Sequence, residues 1–344
     1  MKILLLAVLI TGFISCTQQV PEGALGHNGI YFRQVEGWGQ ENLKDTYIKN
    51  CQGMVSDSKG RLVLLTDDPR NNIIIFDSKG TVISKWTLNL DKTHGLTVFK
   101  DKSGEELLFI TDNGGGEDAV FKTTMDGKIL MKLGYPKEAG KYKSAKQYRP
   151  SAVLAAENGD FYVLDGYGAN YIIQYDRNGK FKKIFGGDIG EGEARLKKWG
   201  PHGGAIDTRD PQNPLLLIAC SDQQYLKRFT MDGKYIDKIP MPGTSPRDIF
   251  IQGELLYIPH LGSDWPKNKN APGFVSVLNK DNKVIANIGG TLPHYHDGEL
   301  QKMTHHGHTF IHPHALTMDK DGNLYVAQWM SNGTWPLKFI RVRD

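Results

Sequence analysis

The chain is poor in cysteine, in surplus charge and in long apolar stretches. Its 344 residues hold 3 cysteines, which excludes a scaffold built on disulfides; Cys51 and Cys220 alone do not decide whether they pair. A formal charge of +4 over that length is too dilute for a nucleic-acid-binding stripe, so no nucleic-acid partner is expected. The one sustained apolar run, Ile3 to Ile14, falls short of the roughly 20 residues that a transmembrane helix needs. What is abundant is glycine, 39 residues, and with it tight turns.

The apolar run follows Lys2 and gives way to Ser15-Cys16 and the polar Thr17-Gln18-Gln19, the architecture of an export signal. Phe13-Ile14-Ser15-Cys16 resembles a bacterial lipobox, with Phe13 where leucine is usual, and that resemblance makes Cys16 the lipid-attachment residue. The expected organisation is a signal peptide over 1–15, a polar tether over 16–28 and one domain over 29–344. The protein is then a bacterial lipoprotein of the periplasm or cell surface that touches the membrane only through its anchor.

From residue 50 onward the chain repeats. Asp57-Ser58-Lys59-Gly60 recurs as Asp77-Ser78-Lys79-Gly80, Asn158-Gly159 as Asn178-Gly179, and single turns of the same kind lie at Asp126-Gly127, Asp232-Gly233 and Asp321-Gly322. Such turns connect antiparallel strands. Between them run short apolar segments such as Leu62-Val63-Leu64-Leu65, Phe161-Tyr162-Val163-Leu164 and Leu324-Tyr325-Val326-Ala327, suited to strands buried on both faces. Helical pattern is confined to insertions such as Glu193 to Trp199. Aligned on their first strands, the units start at Gln52, His94, Ser151, His202, Arg247 and His314, and Pro150, Pro201, Pro246 and Pro313 precede four of them. About four strands per unit indicate a propeller. The fold class is all-β: a six-bladed β-propeller of four-stranded antiparallel blades, with Ile30 to Val35 closing the last blade. The segment from Pro150-Ser151-Ala152-Val153 to Asn178-Gly179 resembles the NHL repeat, and this resemblance covers nearly everything after residue 50.

In a propeller the residue that opens each inner strand lies near one mouth of the central channel. The three histidines among the six starts fall in blades two, four and six, so three imidazoles point at one axial position from directions about 120° apart. The residues after them, Gly95, Gly203 and Ala315, are small and leave the position uncrowded. Three neutral imidazoles with an open fourth position form the ligand set of a catalytic zinc site.

His94-Gly95-Leu96, Asp165-Gly166-Tyr167, Pro201-His202 and Pro313-His314 resemble motifs of the peptidyl-α-hydroxyglycine α-amidating lyases. Those are six-bladed propellers that cleave an α-hydroxyglycine C–N bond to a peptide amide and glyoxylate. The resemblance implies a divalent metal, zinc above all, on His94, His202 and His314, with Tyr167 as base. Three departures limit it. The family's catalytic arginine slot falls on Asp67, leaving Arg70 and Arg247 as candidate replacements. Gly168 stands where the family commonly has a disulfide cysteine, and Ala315 where it has an acidic residue at a structural calcium, so the resemblance does not carry that calcium.

Arg247, on the same ring as the histidines, suits an anionic group such as a substrate carboxylate, or pairs with Asp248 or another channel acid. Asp67, Asp112 and Asp165 end equivalent strands and read as turn-stabilising residues. Seven histidines between 294 and 314 mark an insertion before the last blade that offers a lid, a further ligand or an adventitious metal site. His260 is placed to face the mouth, and Trp265 to stack on a substrate. The function expected is a metal-dependent lyase acting on a small-molecule or peptide substrate that carries a carboxylate. The alternatives are a surface-anchored binding or scaffold propeller for a peptide, glycan or protein, and a metal scavenger using the 294–314 histidines.

Overall fold

A computed structural model describes residues 20–114, 119–188, 192–197, 199–262, 268–330 and 335–343. The signal segment, Cys16 and Trp265 lie outside the described residues. The strands form six antiparallel sheets of at least four strands each, arranged as a six-bladed propeller. Five sheets are built from consecutive strands, and the sixth joins Pro313–Met318, Leu324–Gln328 and Leu337–Val342 to Ile30–Val35. This last pairing closes the ring as expected. Leu25–His27, assigned from sequence to the tether, pairs with Ile30–Val35 as a further strand, because Asn28 and Gly29 both adopt positive φ and turn the chain back on itself. The helical pattern at 193–199 yields only a short 3-10 turn, Gly192–Ala194. Among the described residues no helix is long and apolar enough to cross a membrane.

The burial pattern explains why the strands read as unbroken apolar runs. Leu62–Thr66 and Ile73–Phe76 are buried at every position, whereas the outer strand Val82–Trp86 of the same blade is largely exposed. Each inner pair is sandwiched between neighbouring blades, so alternation is lost there and returns only at the rim. The apolar core is correspondingly divided into six clusters, one at each interface between adjacent blades. Val63, Ile75, Leu108 and Phe121 join blades one and two, for example, and Trp38, Phe76, Tyr325 and Trp335 join blades six and one. The turns behave as their sequences require: in Asp57–Gly60 the glycine sits at φ 76° and the aspartate carboxylate accepts from Lys59 N and Arg61 N.

The inner strands line a central channel of about 300 Å³. They approach one another so closely that the residues after His94 and His202 have no room for a side chain. A Cβ on Gly95 would lie 2.4 Å from Ser151 O, and one on Gly203 would lie 2.3 Å from Arg247 O. These glycines are therefore demanded by the next blade's backbone rather than by crowding at the metal position, which corrects the sequence-based reason for their small size. Gly95→Ala is expected to destabilise the protein by about 1–3 kcal/mol through this overpacking. A fall in the urea midpoint at unchanged m-value checks it, and an unchanged midpoint would show that blade three can retreat freely.

Candidate metal centre

Each ring histidine stands where a blade's ladder begins. At His94 and at His314 the pairing register slips, between Thr93 and Leu96 and between Pro313 and Ala315. Such bulges turn a side chain out of the sheet. The amide freed at the first bulge, Gly95 N, donates to Thr111 Oγ1 at 2.7 Å. Pro201 and Pro313 precede two of the histidines and, lacking an N–H, end the ladder there.

The three rings converge, with centroids 4.7, 4.8 and 5.0 Å apart. Each Nδ1 donates to the backbone carbonyl of the ring residue in the next blade: His94 to Ser151 O at 2.8 Å, His202 to Arg247 O at 2.8 Å, and His314 to Gln52 O at 2.7 Å. The proton is thereby held on Nδ1, and the Nε2 lone pairs are left to face the axis, the arrangement that metal-ligating histidines show. Burial keeps the rings neutral: it lowers the His94 pKa to about 4, assisted by the Arg247 charge. His202 and His314 lie well below their ordinary value, for burial first and then for the charges of Arg247 and the neighbouring imidazoles. Three neutral imidazoles with their ligand atoms within 4.8 Å of one another suit a divalent cation. Among the described residues this is the one group of three or more His, Cys, Asp or Glu side chains so placed.

Tyr167 joins the cluster. Its hydroxyl lies 3.0 Å from His94 Nε2 and 3.1 Å from His202 Nε2. Burial raises its pKa, while the charges of Arg247 and Arg149 pull it back down. The loop that carries it is ordered by Asp165, whose carboxylate accepts from Arg149 N, Ala169 N and Tyr142 Oη, each at 2.7 Å. Asp165 is thus the turn-stabilising residue expected. Gly168 follows from the same loop: a Cβ there would fall 2.1 Å from Asp165 Oδ1 and 2.4 Å from Gln147 O. A cysteine does not fit this loop conformation. Asp67 and Asp112 also serve local backbone, Asp67 accepting from Asn50 N and Asp112 from Gly114 N.

Arg247 is 4% exposed, its Nε has no hydrogen-bond partner, and its guanidinium lies 6.0 Å from the Trp199 ring. Burial lowers its pKa, and the nearby Tyr167 and Asp222 raise it. Asp248 does not pair with it; the Asp248 carboxylate instead accepts from Ile249 N at 2.9 Å. Arg70 is not brought to the cluster: its guanidinium is committed to Asp68 at 2.7 Å and stacks over Tyr47 at 3.6 Å. Cys51 and Cys220 are not bonded to each other and are buried in different interblade clusters.

Of the histidines between 294 and 314, His314 alone belongs to the cluster. His294, His296, His306 and His308 are exposed, and residues 295–300 form a small hairpin. His312 is buried as a staple, accepting from Gly262 N at 3.1 Å and contacting Lys269 O at 2.6 Å. Trp199 is a site residue that sequence inspection placed only in an insertion. It takes a left-handed φ of 54°, rare for an aromatic residue, held by bonds from Trp199 N to Gly166 O and from Ser221 N to Trp199 O. Its position two residues before Pro201-His202 was the available signal.

A six-bladed propeller with a three-histidine cluster at the mouth of its channel is the class that fold and site define. No family model matches the chain. Among curated proteins it is 28% identical over 167 residues to peptidyl-α-hydroxyglycine α-amidating lyase 1 of Drosophila melanogaster, a match covering 47% of this chain. The match spans 27% of that relative's length. A streptogramin B lyase structure superposes with a TM-score of 0.57 at 15% identity, over 91% of this chain and 98% of that one. A gluconolactonase from Xanthomonas campestris does so with a TM-score of 0.57 at 15% identity, over 92% and 97%. At these identities the two solved structures share the fold.

His260 was expected at the mouth, but its ring is sealed inside blade five, with Nε2 2.8 Å from Ser276 Oγ, its face against Phe274 and Nδ1 without a partner. Burial lowers its pKa from 6.5 to about 3. Between these values the unfolded chain binds a proton that the folded one refuses, so stability present above pH 6.5 is lost as the pH falls. Over the full interval this histidine's share of the loss is on the order of 5 kcal/mol. Urea titrations of His260→Met between pH 7 and pH 4 are expected to show a shallower loss than the wild type. Parallel slopes would contradict the buried neutral ring.

Proposed function

We propose that the protein is an exported, lipid-anchored, metal-dependent lyase that breaks the C–N bond of an α-hydroxylated amide bearing a carboxylate, with zinc as its metal and Cys16 as its anchor point. The observation that carries this reading is the meeting of Tyr167 Oη with two of three inward-facing, tautomer-locked Nε2 atoms at 3.0 and 3.1 Å. The match to the amidating lyase, distant as it is, supports the same reaction class.

A cation on His94, His202 and His314 would supply Lewis acidity and positive charge beside Tyr167. Arg247, buried and with its Nε unpartnered, takes the substrate carboxylate. Its charge also favours the ionised form of Tyr167. Tyr167 accepts the proton of the substrate hydroxyl. The C–O bond becomes a carbonyl as the C–N bond breaks, and the departing nitrogen takes up a proton. The products are a primary amide and glyoxylate, with no atom gained or lost. The three imidazoles and Arg247 are buried, which strengthens each of these electrostatic contacts.

Purified mature protein, made without a histidine tag, is expected to carry about one equivalent of divalent metal by elemental analysis, lost in His94→Ala/His202→Ala. Metal-loaded protein is expected to convert N-benzoyl-α-hydroxyglycine to benzamide and glyoxylate. Tyr167→Phe should keep the metal but lose roughly 10²–10⁴-fold in kcat. Protein without metal, or metal-loaded protein that leaves the substrate intact, would overturn the lyase reading in favour of a binding propeller, and a Tyr167→Phe variant of full activity would overturn Tyr167 as the base.

A further inference from the structure

The ring contains a second unpartnered polar side-chain atom. Gln52 opens blade one, is 5% exposed and lines the channel, and its Oε1 is buried with no hydrogen-bond partner. Its orientation is set from behind. Nε2 donates to Asp67 Oδ2 at 3.2 Å, and Asp67 is itself held by Asn50 N at 3.0 Å and Asn50 Nδ2 at 2.7 Å. A carboxylate can only accept, so the amide cannot invert without losing that bond, and Oε1 is presented as an acceptor. Asp67 occupies the slot where the resembling lyases carry an arginine. In this chain the slot therefore presents an acceptor, through Gln52, while the positive charge stands in blade five on Arg247.

Gln52 and Arg247 flank His314 on the ring, two blades apart like each pair of histidines. His314 Nδ1 donates to Gln52 O, and the Arg247 charge lowers the His314 pKa. A molecule lying over His314 thus meets an unpaired donor on one side and an unpaired acceptor on the other. A buried polar group left unsatisfied is destabilising, so both groups favour a ligand that pairs them at once.

We propose that Gln52 is a specificity-determining residue that accepts a hydrogen bond from the substrate's N–H, so that the site selects secondary amides over isosteric esters and lactones. This rests on the lyase reading and narrows it: carboxylate to Arg247, N–H to Gln52, with Asp67 as the positioning residue. An ester or lactone oxygen in place of the N–H has no proton to give and sets two acceptors against each other.

The test uses zinc-loaded full-length mature protein and two unreactive ligands of one shape, N-benzoylglycine and its ester analogue O-benzoylglycolate, measured by titration calorimetry. The wild type is expected to bind the amide at least about tenfold more tightly than the ester. Gln52→Met, checked for one equivalent of zinc, is expected to bind the two equally while keeping its affinity for the ester. Asp67→Asn, which permits the Gln52 amide to invert, should lower the preference without removing binding. Equal binding of amide and ester by the wild type, or a preference that survives Gln52→Met, overturns the assignment and leaves the lyase reading standing. Absence of binding by either ligand overturns both.

Discussion

Everything at the mouth of this propeller depends on three hydrogen bonds between blades. Each ring histidine gives its Nδ1 proton to a backbone carbonyl of the following blade, at 2.7 to 2.8 Å. The bond selects the tautomer and orients the ring, and its acceptor belongs to a different sheet. The ligand geometry is therefore a property of the closed ring and not of any one blade. For His314 the acceptor is Gln52 O in blade one, so this imidazole is in place only when the last blade meets the first. That meeting is sealed by Ile30–Val35, which completes the sixth sheet from the beginning of the chain. The same carbonyls force glycine at positions 95 and 203. Close approach of the backbones and correct aim of the imidazoles are one constraint.

The electrostatics follow from burial. Three imidazoles kept neutral beside a buried arginine form a site with donor lone pairs, a positive wall and no carboxylate among the ring residues. Such a site repels protons and suits a cation bound through nitrogen together with an anionic ligand. Tyr167 sits between these influences: burial opposes its ionisation and Arg247 favours it. The loop behind it is organised by the Asp165 carboxylate, which fills the space that a side chain at Gly168 would need. Asp67 illustrates how one acidic residue reshapes the mouth: it sets the orientation of Gln52 and leaves Arg247 as the ring's positive charge.

The blade count and the ring were readable in the sequence because both are periodic. Turn signatures mark hairpins by local chemistry, and runs such as Leu62–Leu65 and Ile73–Phe76 are apolar throughout because neighbouring blades cover both faces. His94, His202 and His314 stood out for the same reason, each at the same place in its unit. His260 and the 294–312 histidines show where the method stops. They look as ligand-like as the others on paper, yet one is packed in a blade and most of the rest are on the surface. Arg70 and Arg247 were equivalent candidates until Asp68 and Tyr47 were seen to engage the first.

By itself, then, the sequence determined the repeat, the strand content, the ring closure by Ile30–Val35 and the three-histidine set, since each follows from local periodicity and turn chemistry. The tertiary structure alone decided which atoms of those histidines face inward, why glycine follows two of them, that Trp199 borders Arg247, and that Asp67 leaves Gln52 Oε1 without a partner. These depend on backbone carbonyls and side chains far apart in the chain, His314 and Gln52 being 262 residues apart. Contacts of that range are set by how six sheets close around an axis, and no local pattern of residues encodes them.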